Sequence, residues 1–211
     1  MPSRFFVTGT DTGIGKTVAS ALLCAALDAI YWKPIQTGSS EGTDRATAMR
    51  IADLPPERTI RETYCFAPPV SPHLAARRAG TRIELKKIKL PRLPRGTNLI
   101  VEGAGGVLVP INDRQLMTHV MKRLNLPVLL VARSSLGTIN HTTLSLAALR
   151  AAGIDIRGVI MVGKPNPENL RAIEHYGRVA VVGTIPVLPR VDRRTLMQTF
   201  RKHFDHRAFA Q

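Results

Sequence analysis

Aromatic residues are scarce in this chain of 211 residues: Phe, Trp and Tyr together make up 5% of it. That argues against a protein that stacks nucleic-acid bases on aromatic platforms. Cysteine is scarcer still. Cys24 and Cys65 lie far apart and show no metal-ligand spacing. Cys24 falls in an apolar helical stretch and reads as a small core residue. A structural disulfide is not expected in a reducing cytosol. No apolar run approaches the roughly 20 residues a membrane helix needs. With the first strand expected almost at Met1, no signal peptide is expected. Internal repeats and domain linkers are absent too. The expectation is a cytoplasmic, soluble protein, with residues 1–211 forming a single domain.

Acidic residues are also few. Fifteen Asp and Glu stand against thirty Lys and Arg, a formal net charge of +15. Such a balance invites a nucleic-acid reading. The basic residues are spread out, however, with denser places only at 82–95 and 190–207. Neither has a groove-binding motif. A solvated surface around an enzyme for anionic substrates fits better. No Ser/His/Asp set, Cys/His set or zinc spacing occurs, and His73 and His141 read as structural.

What is present is concentrated at residues 4–18, RFFVTGTDTGIGKTV. The apolar run Phe5–Val7 ends in a Gly-rich, hydroxyl-rich turn, followed by Lys16-Thr17 and an apolar helical pattern. A loop that feeds a helix N-terminus aims free backbone N–H groups at one point. Glycines let that backbone approach an anion without a Cβ in the way. Lys16 would reach the β- and γ-phosphates of a nucleotide, and the Thr17 hydroxyl would ligate Mg²⁺. The spacing is a variant. Counting back from Gly15, the first Gly of the usual phosphate loop falls on Thr10, and Gly9 lies one residue further out. Position 11, where partition-type ATPases carry a signature lysine, is Asp11.

Beyond this loop, short apolar strands alternate with helices. Strands are expected at 30–35, 98–101, 126–133, 156–163 and 179–186. Helices are expected at 16–29, 44–54, 114–124, 138–152, near 167–176 and at 191–204, with a short one after Ser71-Pro72. Thr43 is placed to cap the helix at 44. Residues 57–82 read as mostly irregular, and 82–95 as loop or helix. The pattern implies βαβ units: an α/β fold with a mainly parallel sheet and helices on both faces, of the P-loop NTPase kind. Ligands of such sheets bind at the carboxyl ends of the strands. The unusual polar residues fall there: Thr10–Thr17, Lys33–Thr37, Glu102–Gly106 and Ser134–Asn140. Lys33 is a candidate to neutralise a second anion near the γ-phosphate. Glu102 ends the apolar run LIVEG, where P-loop proteins place an acidic Mg²⁺ residue. Asp44 is a second candidate carboxylate. Mg²⁺ takes few protein oxygens together with phosphate oxygens and water, which Thr17, Asp44 and Glu102 would satisfy.

These segments resemble a known family. GTDTGIGKT, YWKPIQTG, FAPPVSPHLAA, VEGAGGVLVPI and LGTINHT occur in the order expected of dethiobiotin synthetases, and the resemblance runs from about residue 4 to 186. It implies an ATP-dependent ring closure of 7,8-diaminopelargonic acid with CO₂, through a carbamate and a carbamic–phosphoric anhydride, with Mg²⁺. Lys16 and Lys33 would be the catalytic cations. Gly13, Ile14, Gly15, Lys16, Thr17 and Val18 would hold the phosphates. Thr12, Lys33 and Thr37 would contact substrate or carbamate. Thr17, Asp44 and Glu102 would surround the metal, and Gly103, Ala104 and Gly105 would line the site. The resemblance also implies a homodimer, with Asn140 of the other subunit taking the substrate carboxylate. No nucleic-acid or membrane partner is expected.

The chain departs from the family at three places. Pro68 stands where Glu is frequent. Val162-Gly163 stands where many members carry Asn-Asp to read adenine. The later base-side loop, Pro186, Val187 and Leu188, matches only weakly. Two rivals share the fold: a nucleic-acid-associated partition ATPase, which Asp11 speaks against, and a cobyrinate-type amidotransferase half, for which neither Cys24 nor Cys65 has the setting of a nucleophile.

Overall fold

Arg4–Gly9 form the first strand, β1, at the centre of a sheet whose neighbouring strands all run parallel. Phe5 to Gly9 are buried, as a strand covered by helices on both faces must be. This computed structural model describes residues 2–209. After β1 come α1 (Lys16–Ala26), β2 (Ile30–Trp32), β3 (Ile35–Gln36), α2 (Asp44–Ala52), β4 (Thr59–Ile60), β5 (Tyr64–Cys65) and α3 (Pro72–Arg78). Then follow β6 (Leu99–Gly106), α4 (Met117–Leu124), β7 (Val128–Arg133), α5 (Thr138–Ala151), β8 (Ile156–Val162), α6 (Pro167–Gly177), β9 (Val181–Ile185) and α7 (Arg193–His203).

The main sheet has seven strands in the order β4-β2-β6-β1-β7-β8-β9. The chain first builds away from β1 on one side and fills the gap with β6. It then crosses to the other side with β7. That reversal places a crevice at the carboxyl ends of the central strands. Side chains alternate across the sheet. Phe5, Val7, Tyr31 and Ile100 pack on one face with residues of α1, α2 and α7. Phe6, Trp32, Leu99 and Val101 pack on the other with residues of α3 and α4. A smaller cluster joins β7 and β8 to α5 and α6 through Leu130, Leu146 and Ile173.

Several boundaries differ from the sequence expectation. The strand expected at 30–35 is two strands. Pro34 has no N–H with which to continue a ladder. Here β2 stops at Trp32, and β3 pairs with β5 in a separate two-stranded sheet. Residues 57–82 are less irregular than expected, because Thr59 and Ile60 pair with Tyr31 and Trp32 to add the edge strand β4. The strand expected at 98–101 runs on to Gly106, so Glu102 lies inside β6. The helix expected from 114 starts at Met117. Asn112 first makes a turn by accepting the Arg114 amide on its side chain. The basic run 82–95 is loop with one 3₁₀ turn at Leu85–Lys87, tied down where Arg123 donates to the Ile88 and Lys86 carbonyls.

Candidate active site

The Gly-rich loop expected to bind phosphate follows β1. Thr10, in the place of the usual first glycine, donates its amide to the Val131 carbonyl at 3.0 Å. The β1–β7 hydrogen bonding therefore continues past Gly9. A side-chain carbon at Gly9 would lie 2.5 Å from Ile14 Cδ1, so this glycine serves the loop's packing. The extra residue in the spacing is absorbed by the strand. Gly13 and Gly15 have φ of +69° and +96°, which glycine adopts at little cost. Gly15 is also the N-cap of α1. No side chain caps that helix end, and its first turn holds no acidic residue. Its leading amides are left for an anion.

A cluster of charged side chains faces the loop. Glu102, fully buried on β6, accepts from the Thr17 hydroxyl (3.0 Å) and the Lys33 ammonium (3.0 Å) on Oε1. Its Oε2 accepts from the Tyr31 hydroxyl at 2.9 Å. Asp44, the first residue of α2, accepts from the Thr17 hydroxyl at 2.9 Å and pairs with Lys33. Thr43 caps α2 as expected, its side chain accepting the Ala46 amide at 3.1 Å. Gln36 holds the same helix end by accepting the Asp44 amide at 3.0 Å. Lys33 is buried, and burial alone would push its pKa down. The Glu102 and Asp44 carboxylates more than offset that and hold it above the ordinary lysine value. Burial likewise works against the Asp44 charge, but Lys33, Thr17 and Lys16 hold its pKa below the usual value. Lys16 makes no ion pair among the described residues, and the Glu102, Asp44 and Asp11 carboxylates nearby do not offset its burial. Its ammonium donates to the Asp11 carbonyl at 2.7 Å, and burial together with Lys33 lowers its pKa to about 8.

These groups border one cavity of ≈ 660 Å³. Thr12, Gly13, Gly15, Lys16, Thr17, Val18, Lys33, Thr37, Asp44, Glu102, Ala104 and Gly105 all line it, so most of the expected site residues converge. Ile14 instead packs into the core beneath α1, which leaves only its backbone for a ligand. Gly103 backs onto Phe6, where a side-chain carbon would lie 2.9 Å from the ring. The residues expected on the base side do not line this cavity. Val162 packs against the loop, since a Cβ at Gly15 would meet its Cγ1 at 3.0 Å. Gly163 and Pro186 line a second cavity of ≈ 310 Å³ with Ser134, Asn166 and Leu170. Val187 is exposed, and Leu188 packs partly buried on the α1 side of the sheet. Asn140 is exposed on the first turn of α5 and does not line the main cavity. Sequence reasoning missed Tyr31 and Gln36. No sequence signal marks Tyr31, which looks like a core aromatic until the β2–β6 register sets its hydroxyl against Glu102.

The AAA domain family matches residues 3–195. The chain is 44% identical over 212 residues to the ATP-dependent dethiobiotin synthetase of Brucella melitensis, covering 100% of this chain and 98% of that protein. It is 50% identical over 196 residues to the biotin biosynthesis bifunctional protein of Bordetella avium, covering 92% of this chain but only 42% of that longer protein. Among solved structures, the septum site-determining protein MinD of Pyrococcus horikoshii, complexed with Mg-ADP, superposes with a TM-score of 0.54 at 19% identity. That match covers 94% of this chain and 86% of the other, and it shows the fold alone.

Proposed function

The chain belongs to the family of ATP-dependent dethiobiotin synthetases, and from that premise we propose that it closes the cyclic urea of dethiobiotin from 7,8-diaminopelargonic acid, CO₂ and ATP. The observation that carries this reading is the convergence of Lys16, Lys33, Thr17, Asp44 and Glu102 on one cavity beside an uncapped helix N-terminus. The reaction must bring together two anions, a carbamate and a triphosphate. The free amides of α1 and the Lys16 ammonium suit the phosphates. Lys33, which lines the same cavity, suits the carbamate. One substrate amine takes up CO₂ and loses a proton, giving the carbamate. A carbamate oxygen then attacks the γ-phosphorus as the bond to ADP breaks, giving the carbamic–phosphoric anhydride. The second amine attacks its carbonyl carbon, phosphate leaves with the bonding electrons, and the nitrogen loses a proton. Thr12 and Thr37, which line the cavity, would hold the diamine.

The Thr17 hydroxyl and the carboxylates of Asp44 and Glu102 are the hard oxygen donors Mg²⁺ takes, and the hydroxyl lies within 3.0 Å of both carboxylates. These three residues would hold the ion, which when bound supplies positive charge against the γ-phosphate. We further propose a homodimer in which Asn140 of one subunit reaches the substrate carboxylate of the other. Asn140 shares a helix face with Leu144, which is 62% exposed, and Leu136 just before α5 is 99% exposed. Leu144 borders a pocket with Thr12, which also lines the main cavity, so an exposed apolar side chain stands beside the site, as suits a subunit contact. Nucleotide preference is assigned to the surroundings of Val162, Gly163 and Pro186–Leu188, where no side-chain amide stands at 162 or 163 to read adenine.

The test is an ADP-release assay across four nucleotides, with and without diaminopelargonate and bicarbonate. Release that requires both is expected. Release indifferent to either substrate overturns the proposal.

A further inference from the structure

We propose that Tyr31 is a positioning residue for the metal site: its hydroxyl holds Glu102 Oε2 inside the core so that Oε1 alone is turned toward the cavity. This rests on the reading of Glu102 as a Mg²⁺ ligand and deepens it. The two oxygens of this carboxylate are treated differently. Oε1 meets Thr17 and Lys33, both of which line the cavity. Among the described residues Oε2 meets the Tyr31 hydroxyl alone, at 2.9 Å, and Tyr31 is fully buried.

Register explains the pairing. Tyr31 on β2 stands opposite Ile100 on β6, and Glu102 is two residues beyond Ile100. Residues two apart on a strand share a face. Tyr31 and Glu102 therefore project to the same side of the sheet, under α1, on adjacent strands. Tyr31 grips the carboxylate from below, and Lys33, two residues further along the chain, meets it at the cavity. A buried carboxylate oxygen deprived of its donor must find another or pay the cost of having none. Without the hydroxyl, Glu102 would turn, and Oε1 would lose its aim. Partners of this kind behind a metal ligand typically change metal affinity by about 10- to 100-fold when removed.

The experiment is calorimetric titration of the full chain with ATP, once with Mg²⁺ and once with EDTA. The quantity read is the gain in ATP affinity that Mg²⁺ confers. In Tyr31→Phe, that gain is expected to shrink by about 10- to 100-fold, with the affinity in EDTA unchanged. A merely structural role would lower both affinities by the same factor, and that result overturns the proposal. So does a Tyr31→Phe protein with the wild-type gain. Glu102→Gln separates the two layers. If that variant keeps the full gain, the reading of Glu102 as a ligand fails. If it loses the gain while Tyr31→Phe keeps it, only the role of Tyr31 fails. Should Tyr31→Phe not fold, the double variant with Glu102→Gln is examined, since a neutral amide removes the buried charge that needs the hydroxyl. Recovery of folding supports the proposal, and failure to recover it shows that the hydroxyl acts elsewhere.

Discussion

Lys33 lies between Glu102 and Asp44, so removing it does two separable things. It deletes the cation assigned to the carbamate, and it leaves two carboxylates facing each other without a counter-charge. Lys33→Ala should lower kcat by about 10²- to 10³-fold, the usual loss for one stabilising donor. It should also melt at a lower temperature in EDTA, and added Mg²⁺ should raise that temperature more than in the wild type. Near-normal turnover would remove Lys33 from the mechanism. Lys16 gives a pH prediction of definite sign. Its pKa is about 8 in the free protein, below the ordinary lysine value, because burial and Lys33 disfavour its charge. A bound triphosphate favours the charged form. At pH 9 the free protein's Lys16 is mostly neutral, so nucleotide binding should take up close to one proton. Titration calorimetry in two buffers of different ionisation enthalpy measures that uptake. ATP affinity should fall as pH rises from 7 to 9, and its absence in Lys16→Met would assign it.

At the scale of elements, α2 matters because its first residue is a site residue. Thr43→Ala removes the acceptor of the Ala46 amide and should cost about 1 kcal/mol of stability, measured by urea unfolding. It should also weaken the Mg²⁺-dependent gain in ATP affinity, because Asp44 starts that helix. A stability loss with no change in that gain would limit Thr43 to capping. This cap was legible in the sequence, as were β1, β7, β8 and the loop before α1. Each has several apolar residues in a row or a turn chemistry with one reading. The paired strands β3, β4 and β5 were not legible. Each is two residues long, too short to show a period, and each exists only because a partner strand supplies hydrogen bonds. The site divides the same way. Lys16, Thr17, Lys33, Asp44 and Glu102 stood out as polar residues at strand ends or helix starts. Tyr31 did not, since an aromatic residue in an apolar strand looks like core until register sets its hydroxyl against Glu102. Gly103 stood out as a glycine by the site and proved to make room for Phe6.

At the scale of the whole molecule, the net charge of +15 and the exposed leucines lead to different tests. Leu108, Leu136 and Leu144 are more than half exposed, near the site or on the α5 side of it. If they form a subunit contact, Leu144→Asp should convert a dimer to a monomer in analytical ultracentrifugation and lose most turnover with it. A monomeric wild type would end the proposal that Asn140 acts across subunits. The charge raised the rival of a nucleic-acid-associated ATPase. The structure occupies Asp11, the residue that speaks against that rival, in a contact with Arg133 at 3.2 Å. A gel shift on duplex DNA at physiological salt with ATP should show no tight complex. No helix among the described residues is long and apolar enough to cross a membrane.

The bare start of α1 has a practical outcome. A helix that lacks its own cap is finished by whatever anion settles there, so occupancy and thermal resistance rise together. Melting curves with inorganic triphosphate, which carries no sugar or base, would then rank the phosphate grip by itself. The same curves with whole nucleotides would expose, by difference, how much the base adds.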